Sequence, residues 1–395
     1  MRLGDIINIK HGFAFSGNHI IEEDNGVVLV TPGNFRIGGG FQEKKCKFFD
    51  GEIPKEYILN EGDFIVTMTD LSKTIDTLGY SALVPKSSSR TYLHNQRIGL
   101  VQFKNDSCDR GYIYWLMRTR GYQRTIANTS TGSTVHHTSP AKICDFEFTP
   151  PSIETQRRIA EILSRYDSLI ENYQRQIKLL EEAAQRLYKE WFVDLHFPGH
   201  ENTPIIDGIP QGWEKKKLSE MADIIMGQSP KSEYYNKEHQ GLPFHQGVGS
   251  YGSRFVIDDV YSTSLTRVAK PNSVLFSVRA PVGRLNITKN KIVIGRGIAA
   301  INHNQGYQCY LFYLLKERFF KDNIIGNGAI FASISKDELH NLSFLTPSEH
   351  LIKRFDDIAS NYDRRILFID NQIRNLSEAR DRLLPKLMSG EIDIV

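Results

Sequence analysis

The sequence predicts an α+β protein: two mixed α/β domains, each followed by one long coiled-coil helix, as an internal repeat. Three observations predict this. PPSIETQRRIAEILSRYDSLIENYQRQIKLLEEAAQRLYKEWF (150–192) holds no Gly and, after Pro151, no Pro. A second version of it returns near the end of the chain. Each copy follows a segment of short apolar runs broken by Gly, Asn, Asp and Pro, the pattern of strands and turns. The resulting segments are 1–150, a helix over 151–195, a linker over 196–212, a second head over 213–346, and a helix with its tail over 347–395.

At 395 residues the chain is too long for one ordinary core. Hydrophobic residues at 40% suit a folded protein rather than a disordered one. Forty-nine basic against 46 acidic residues leave a net charge of +3, which excludes a broadly basic, histone-like chain but not a local basic surface. Cys46, Cys108, Cys144 and Cys309 are scattered and form no CxxC, so a reducing, cytoplasmic setting is expected, without a disulfide framework or zinc site. No signal-peptide core opens the chain, and no apolar run approaches membrane-spanning length.

The repeat is the strongest signal. With a shift of 196 residues, Pro151–Leu187 and Pro347–Leu383 are identical at 15 of 37 positions. Chance would give about one in seventeen. Each copy starts Pro-Ser, an extended residue followed by a hydroxyl that can accept first-turn amide hydrogens. Glu154 and Glu349 follow in the first turn, where negative charge suits the dipole. Apolar or small residues at 159, 162, 166, 169, 173, 177, 180, 184, 187 and 191 step by three or four, the spacing of a coiled-coil seam. The second copy keeps Phe355, Ile358, Tyr362, Ile369, Ile373, Leu376, Leu383 and Leu387, with Arg365 and Arg380 interrupting. Each helix would be roughly 50–60 Å long and must bury its stripe on something, most simply on the other helix.

In the heads, VVLVTP (27–32), GDFIVTM (62–68), SVLFSVRAPVG (273–283) and KIVIG (291–295) read as strands. YIYWLM (112–117) and YLFYLL (310–315) read as buried helix. Polar loops follow, TSTGSTVHHTS (129–139) and GNGAIFASIS (326–335), then the short strands DFEFTP and LSFLTP lead into the long helices. Outside the helices the halves diverge strongly; EKKKLSEMADIIMGQSPKSEYYN has only a faint counterpart in LGDIINIKHGFAFSGN. One frame with two unlike heads suits gripping two different things at a set separation.

No catalytic set emerges. GVGSYG (247–252) matches GxGxxG, but neither a clear strand before it nor a helix after it supports a phosphate cradle. There is no GxxxxGK[ST] and no Asn/Asp-Pro-Pro-aromatic tetrapeptide, and His136-His137 lacks a HExxH or Cys partner. The loops instead interleave Arg, Lys, amides, hydroxyls and aromatics: TMTDLSKT (67–74), HNQR (94–97), GQSPKSEYYN (227–236), SVRAPVGR (277–284) and GRG (295–297). Arg suits guanine edges, Asn and Gln suit adenine, and Lys and hydroxyls suit phosphate.

The Pro-Ser start with Gln156-Arg157-Arg158-Ile159, KEWFVDLHFPG (189–199), IPQGWEKKKLSEMADIIMGQSPKSEYYN (209–236) and RLLPKLMSGEI (382–392) carry a resemblance. The chain resembles the specificity subunit of type I restriction-modification systems. The first head departs from it by starting at Met1-Arg2-Leu3-Gly4, without the lead seen at Gly212-Trp213-Glu214. The resemblance implies two target-recognition domains, two long helices packed antiparallel, and a pseudo-two-fold arrangement. It implies a non-catalytic, DNA-binding subunit whose partners are double-stranded DNA with a bipartite asymmetric site, two methyltransferase subunits and, in the full complex, restriction subunits. S-adenosylmethionine, ATP and Mg would belong to those partners and no cofactor to this chain.

On that reading each head reads one half-site and the helices set the spacer. Residues expected to contact DNA are Lys73, Asn95, Arg97, Thr131, Ser133 and His136 in the first head. In the second they are Gln228, Ser229, Lys231, Tyr234, Asn236, Arg279, Arg284 and Arg296. Trp191 and Phe192 are expected on a surface that docks methyltransferase subunits. The alternatives are a stand-alone two-headed DNA-binding regulator, an enzyme acting on DNA in its own right, and a coiled-coil scaffold.

Overall fold

The computed structural model describes residues 1–43, 46–72, 74–320 and 333–392. They form two compact units, residues 1–173 with 372–395 and residues 174–371. The boundary does not follow the repeat. The first long helix, Ile153–Phe192, and the second, Glu349–Ser389, each pass from one unit into the other. At the start of the first, the Ser152 hydroxyl accepts from the amide of Thr155 at 3.2 Å.

In the unit holding residue 1, a four-stranded antiparallel sheet runs in the order Ile7–His11, Ile98–Phe103, Phe64–Thr67, Ser81–Leu83. A five-stranded sheet runs Ile20–Ile21, Lys47–Phe49, Val27–Val30, Thr91–His94, Ile58–Leu59, with one parallel pair, Val27–Val30 beside Thr91–His94. The other unit repeats this plan strand for strand. Its first sheet is Ala222–Met226, Ile298–His303, Val274–Ser277, Leu285–Ile287. Its second is Tyr235–Asn236, Tyr261–Ser262, Leu242–His245, Ile292–Ile294, Val268–Ala269, again with one parallel pair. Two heads with little common sequence therefore share one topology. The expected strands over 27–32, 62–68, 273–283 and 291–295 all form, in shortened versions.

Each unit buries an aromatic helix between its first sheet and the long helices. Arg110–Leu116 places Tyr112, Ile113 and Trp115 against Ile159, Leu163, Leu384 and Leu387. Gln308–Phe320 places Tyr310 and Tyr313 against Tyr188, Phe355 and Ala359. Within each unit the two long-helix segments run antiparallel. Residues 163 and 167 lie level with 384 and 380 in one, and Tyr188 meets Phe355 in the other.

Three expectations need correction. The expected strand DFEFTP reduces to a single bridge, Glu147 to Arg2, because a tight turn over Leu3–Asp5 follows Arg2 at once. Its counterpart Ser343–Thr346 pairs over four residues with Glu214–Lys217. The helix ends lie inside the expected limits, at Phe192 and Ser389. The buried seam also differs in part from the apolar series read from the sequence. Of that series Ile159, Ala184 and Trp191 are buried, six more are half-buried, and Leu169 alone is 47% exposed; the buried stripe is wider than the series and also takes in Gln156, Ala160, Leu163, Ile170 and Tyr188, with half-buried Asp167 and Glu181 among them. Asp167 and Glu181 sit in that seam because buried guanidinium groups meet them there. Arg380 does not interrupt the second helix's seam but belongs to it, paired with Asp167 at 2.5 Å.

Candidate nucleic-acid interface

In each unit the strands that leave the two sheets end in loops that lie side by side, tied by backbone hydrogen bonds. In the first, the Phe13 amide donates to the His94 carbonyl at 2.8 Å and the Gln96 amide to the Phe13 carbonyl at 2.9 Å. The Met68 amide then donates to the Arg97 carbonyl at 2.9 Å, and the Thr138 amide to the Met68 carbonyl at 3.0 Å. Four loops, around residues 13, 96, 68 and 138, thus form one ridge.

The other unit repeats three of these backbone rungs with different residues, and in place of the fourth the Arg296 amide donates to the Ser229 hydroxyl at 3.2 Å. The Gln228 amide donates to the Ile294 carbonyl at 2.9 Å. The Val278 amide donates to the Gly297 carbonyl at 3.0 Å, and the Ile334 amide to the Val278 carbonyl at 2.9 Å. Arg279 bridges to Ser333 as Thr69 pairs with His137 in the first unit. A strand, Leu242–His245, does precede GVGSYG, but a tight turn over Val248–Ser250 follows, so no phosphate-cradling helix starts there.

Glycines let the loops approach this closely. A Cβ added at Gly12 would lie 2.2 Å from the Asn95 carbonyl oxygen, and one at Gly227 would lie 2.2 Å from that of Gly295. Side chains then fix the loop shapes. Asp70 is buried and accepts from the amides of Ser72, Thr77 and Leu78 and from the Thr77 hydroxyl, at 2.6–3.0 Å. Burial alone would raise its pKa, but these hydrogen bonds outweigh burial and hold the carboxyl below its usual range.

The ridges gather most residues expected to contact DNA, in two roles. Arg97, Thr131 and Ser133 are exposed on the first ridge; Gln228, Lys231, Tyr234, Arg279 and Arg296 are exposed on or beside the second. His136 and Arg284 are half-buried in the same loops. Lys73 lies outside the described residues. Three others shape the ridge instead. Asn95 is buried, and its Oδ1 accepts from the Arg97 amide at 3.0 Å. The Ser229 hydroxyl donates to Gln246 Oε1 at 2.8 Å and accepts from the Arg296 amide at 3.2 Å. Asn236 closes its own loop, with both ends of its amide on the Gln240 backbone at 3.0 Å. These side chains hold the loops that carry the exposed residues.

Sequence reading missed Phe13, Gln96, Gln246 and Arg267. Phe13 and Gln96 occupy in the first ridge the places of Gln228 and Arg296 in the second, a correspondence visible only once the strands are aligned. The Arg267 carbonyl accepts from the Ile294 amide at 2.9 Å, which puts an exposed arginine beside the second tip.

Trp191 is also corrected. Its indole is 8% exposed and packs on Phe192 and Phe355. Phe192 is half-buried against Trp213, Tyr310 and Phe355. Apolar side chains belong inside at a point where an aromatic helix and two long helices meet, and Trp191 is buried there rather than lying on the surface. Exposed apolar side chains on the long helices are Leu169, Leu179 and Phe368.

No helix among the described residues is long and apolar enough to cross a membrane, and no cluster of metal-ligating side chains occurs among them. The four cysteines are free.

Comparison with known proteins agrees with two duplicated DNA-reading heads. Residues 1–182 and 210–376 match the type I restriction modification DNA specificity domain, and the chain belongs to that family. It is 30% identical over 310 residues to the putative type I restriction enzyme MjaX specificity subunit of Methanocaldococcus jannaschii, covering 76% of this chain and 72% of that protein. It is 28% identical over 303 residues to the MjaIX specificity subunit of the same organism, covering 72% and 69%. The fold is similar to the crystal structure of a type I restriction-modification S subunit from M. genitalium, with TM-score 0.56 and 17% identity over 100% of this chain and 96% of that one.

Proposed function

We propose that each head reads one half of a bipartite, asymmetric DNA site through its four-loop ridge, and that the long helices set the spacer between half-sites. One observation carries this reading: nearly the same backbone ladder, three of its four rungs, is built twice and dressed with different side chains. The first tip carries Phe13, Gln96 and Arg97; the second carries Gln228, Arg267 and Arg296. A shared scaffold with unlike tips is what reading two unlike half-sites requires.

The chain itself supplies no chemistry in this proposal. It places two methyltransferase subunits on DNA, with restriction subunits joining in the full complex, and S-adenosylmethionine, ATP and Mg are held by those partners in the cytoplasm. Docking is supported by the exposed Leu169, Leu179 and Phe368, apolar side chains on otherwise polar helix surfaces. Single-molecule mapping of methylated adenine in cells carrying this chain and its methyltransferase tests the reading. A split motif with unlike halves is expected; a continuous motif would refute it.

A further inference from the structure

Gln96 and Arg296 occupy equivalent tips, each at the turn that joins the two sheets of its head. Leu93 and His94 lead into the first tip as Val293 and Ile294 lead into the second, and Ile98 and Ile298 open the next strand. Both residues are exposed. Among the described residues neither side chain has a partner.

The backbones beneath them are tightly set, by different means. Beneath Gln96, buried Asn95 holds the Arg97 amide and Gly12 packs on the Asn95 carbonyl. Beneath Arg296, the flanking glycines lie directly on Gln246. A Cβ at Gly295 would meet Gln246 Oε1 at 2.7 Å, and one at Gly297 would meet the Gln246 carbonyl oxygen at 2.6 Å. A fixed backbone under a free polar side chain lowers the ordering cost of a directional contact.

The surroundings differ in kind. Gln96 stands beside Phe13, whose carbonyl accepts its amide; the Phe13 ring is 38% exposed and rests on Phe15 and Tyr57, with ring centres 5.1 and 5.2 Å away. A carboxamide gives adenine one donor and one acceptor, and an apolar ring suits the thymine methyl group across the pair. Arg296 stands beside Gln228 and Arg267, with no exposed aromatic ring at the corresponding position. A guanidinium fork suits the two acceptors of guanine.

We infer that the tips read different base pairs: Gln96, with Phe13, reads an A·T pair in one half-site, and Arg296 reads a G·C pair in the other. The inference rests on the DNA-reading role proposed above. It assigns a base class and one specificity-determining residue to each head.

The test is selection from a pool of random-sequence duplexes by the full chain in complex with its methyltransferase subunit. Gln96→Leu is expected to relax one A·T position about 10- to 100-fold and leave the other half-site intact. Gln96→Arg is expected to move that position toward guanine. Arg296→Ala should relax one G·C position in the other half-site. Arg296→Lys should relax it too, since a point charge cannot replace the fork. Uniform weakening with an unchanged consensus, rescued by Arg296→Lys, would mark a phosphate contact and overturn the inference. So would relaxation at the opposite kind of base pair, or in the same half-site for both residues. A wild-type selection without a split consensus would refute the DNA-reading proposal itself, and this inference with it.

Discussion

Asp167 and Asp363 occupy one position of the repeated helix, and each receives a buried guanidinium from the head of its own unit. Asp167 takes Arg118 at 2.5 Å, a residue that closes the aromatic helix of the first head. Asp363 takes Arg254, a residue of a loop between strands in the second head. The two arginines come from different places in the chain yet lie over the same aromatic pair. Arg118 covers Tyr114 and Trp115, and Arg254 covers Phe312 and Tyr313. In the first head the matching loop is Gly38-Gly39-Gly40, whose carbonyls at 38 and 39 accept from Arg118. The carboxylate is kept, and the cation has changed its origin.

This anchor should be costly to break. The Arg118 side chain is 3% exposed, so Asp167→Ala strands a buried cation and should cost about 3–5 kcal/mol in urea unfolding. The Arg118→Ala, Asp167→Ala double variant should lose less than the sum of the singles. Additive losses would show that the pair is not coupled. Gly39→Ala should also destabilise by at least about 1 kcal/mol. Its φ is +86°, and a Cβ there would lie 2.6 Å from Arg118 Cγ.

Two buried groups in the unit of residues 174–371 should give opposite pH slopes. Burial raises Asp356 to about 6, although the Tyr310 and Cys309 amides oppose it. Between pH 4 and 6 the unfolded chain has released a proton that the folded chain keeps. Stability from this group therefore falls as pH rises through that window. Burial lowers His303 to about 4, so between pH 6.5 and 4 the unfolded chain gains a proton first, and stability falls as pH falls. In thermal unfolding across pH 4–7.5, Asp356→Asn should remove the first slope and His303→Gln the second. Unchanged profiles would contradict both assignments.

Phosphate contacts should reveal themselves through salt. Lys231 is exposed on the turn beside the second ridge, paired loosely with Glu233 at 3.8 Å. Lys231→Ala should weaken binding to all sequences alike and reduce the slope of log affinity against log salt by about 0.9. A base-specific loss would assign it to readout instead.

Partner docking should depend on exposed helix residues rather than on Trp191. Leu179 is 58% exposed, so Leu179→Glu should leave unfolding within about 0.5 kcal/mol of wild type. Co-purification of the methyltransferase subunit should fall with it. Retained association would remove Leu179 from the docking surface.

The spacer should follow helix length. Deleting seven residues from the middle of each long helix keeps the seam in register and removes about 10 Å, close to three base pairs. The methylated motif should keep both halves with a shorter gap. An unchanged gap would contradict the ruler role.

The long helices were legible because fifteen identical positions at a fixed shift and a step of three or four need no tertiary information. The seam was legible only in part, because a search for apolar residues passes over Asp167, Glu181 and Arg380. Those residues are buried only because a cation or an anion from elsewhere in the chain meets them. The common topology of the heads was only faintly legible. It rests on backbone ladders, such as Gln96 on Phe13 and Gln228 on Ile294, that different side chains support equally well. For the same reason the loops were legible but the equivalence of their tips was not. Arg97 drew attention by its charge, while its neighbour Gln96 holds the place that matches Arg296. Asn95 and Asn236 carry base-reading chemistry that the fold uses to shape loops.

The central claim is that each head reads its half-site independently on a duplicated frame. Its most direct test is to exchange residues 213–346 for the matching head of a family member with a different methylation motif, then map methylated adenines. One half of the split motif should change while the other half and the gap stay as they were. A change in both halves, or in neither, would contradict the account.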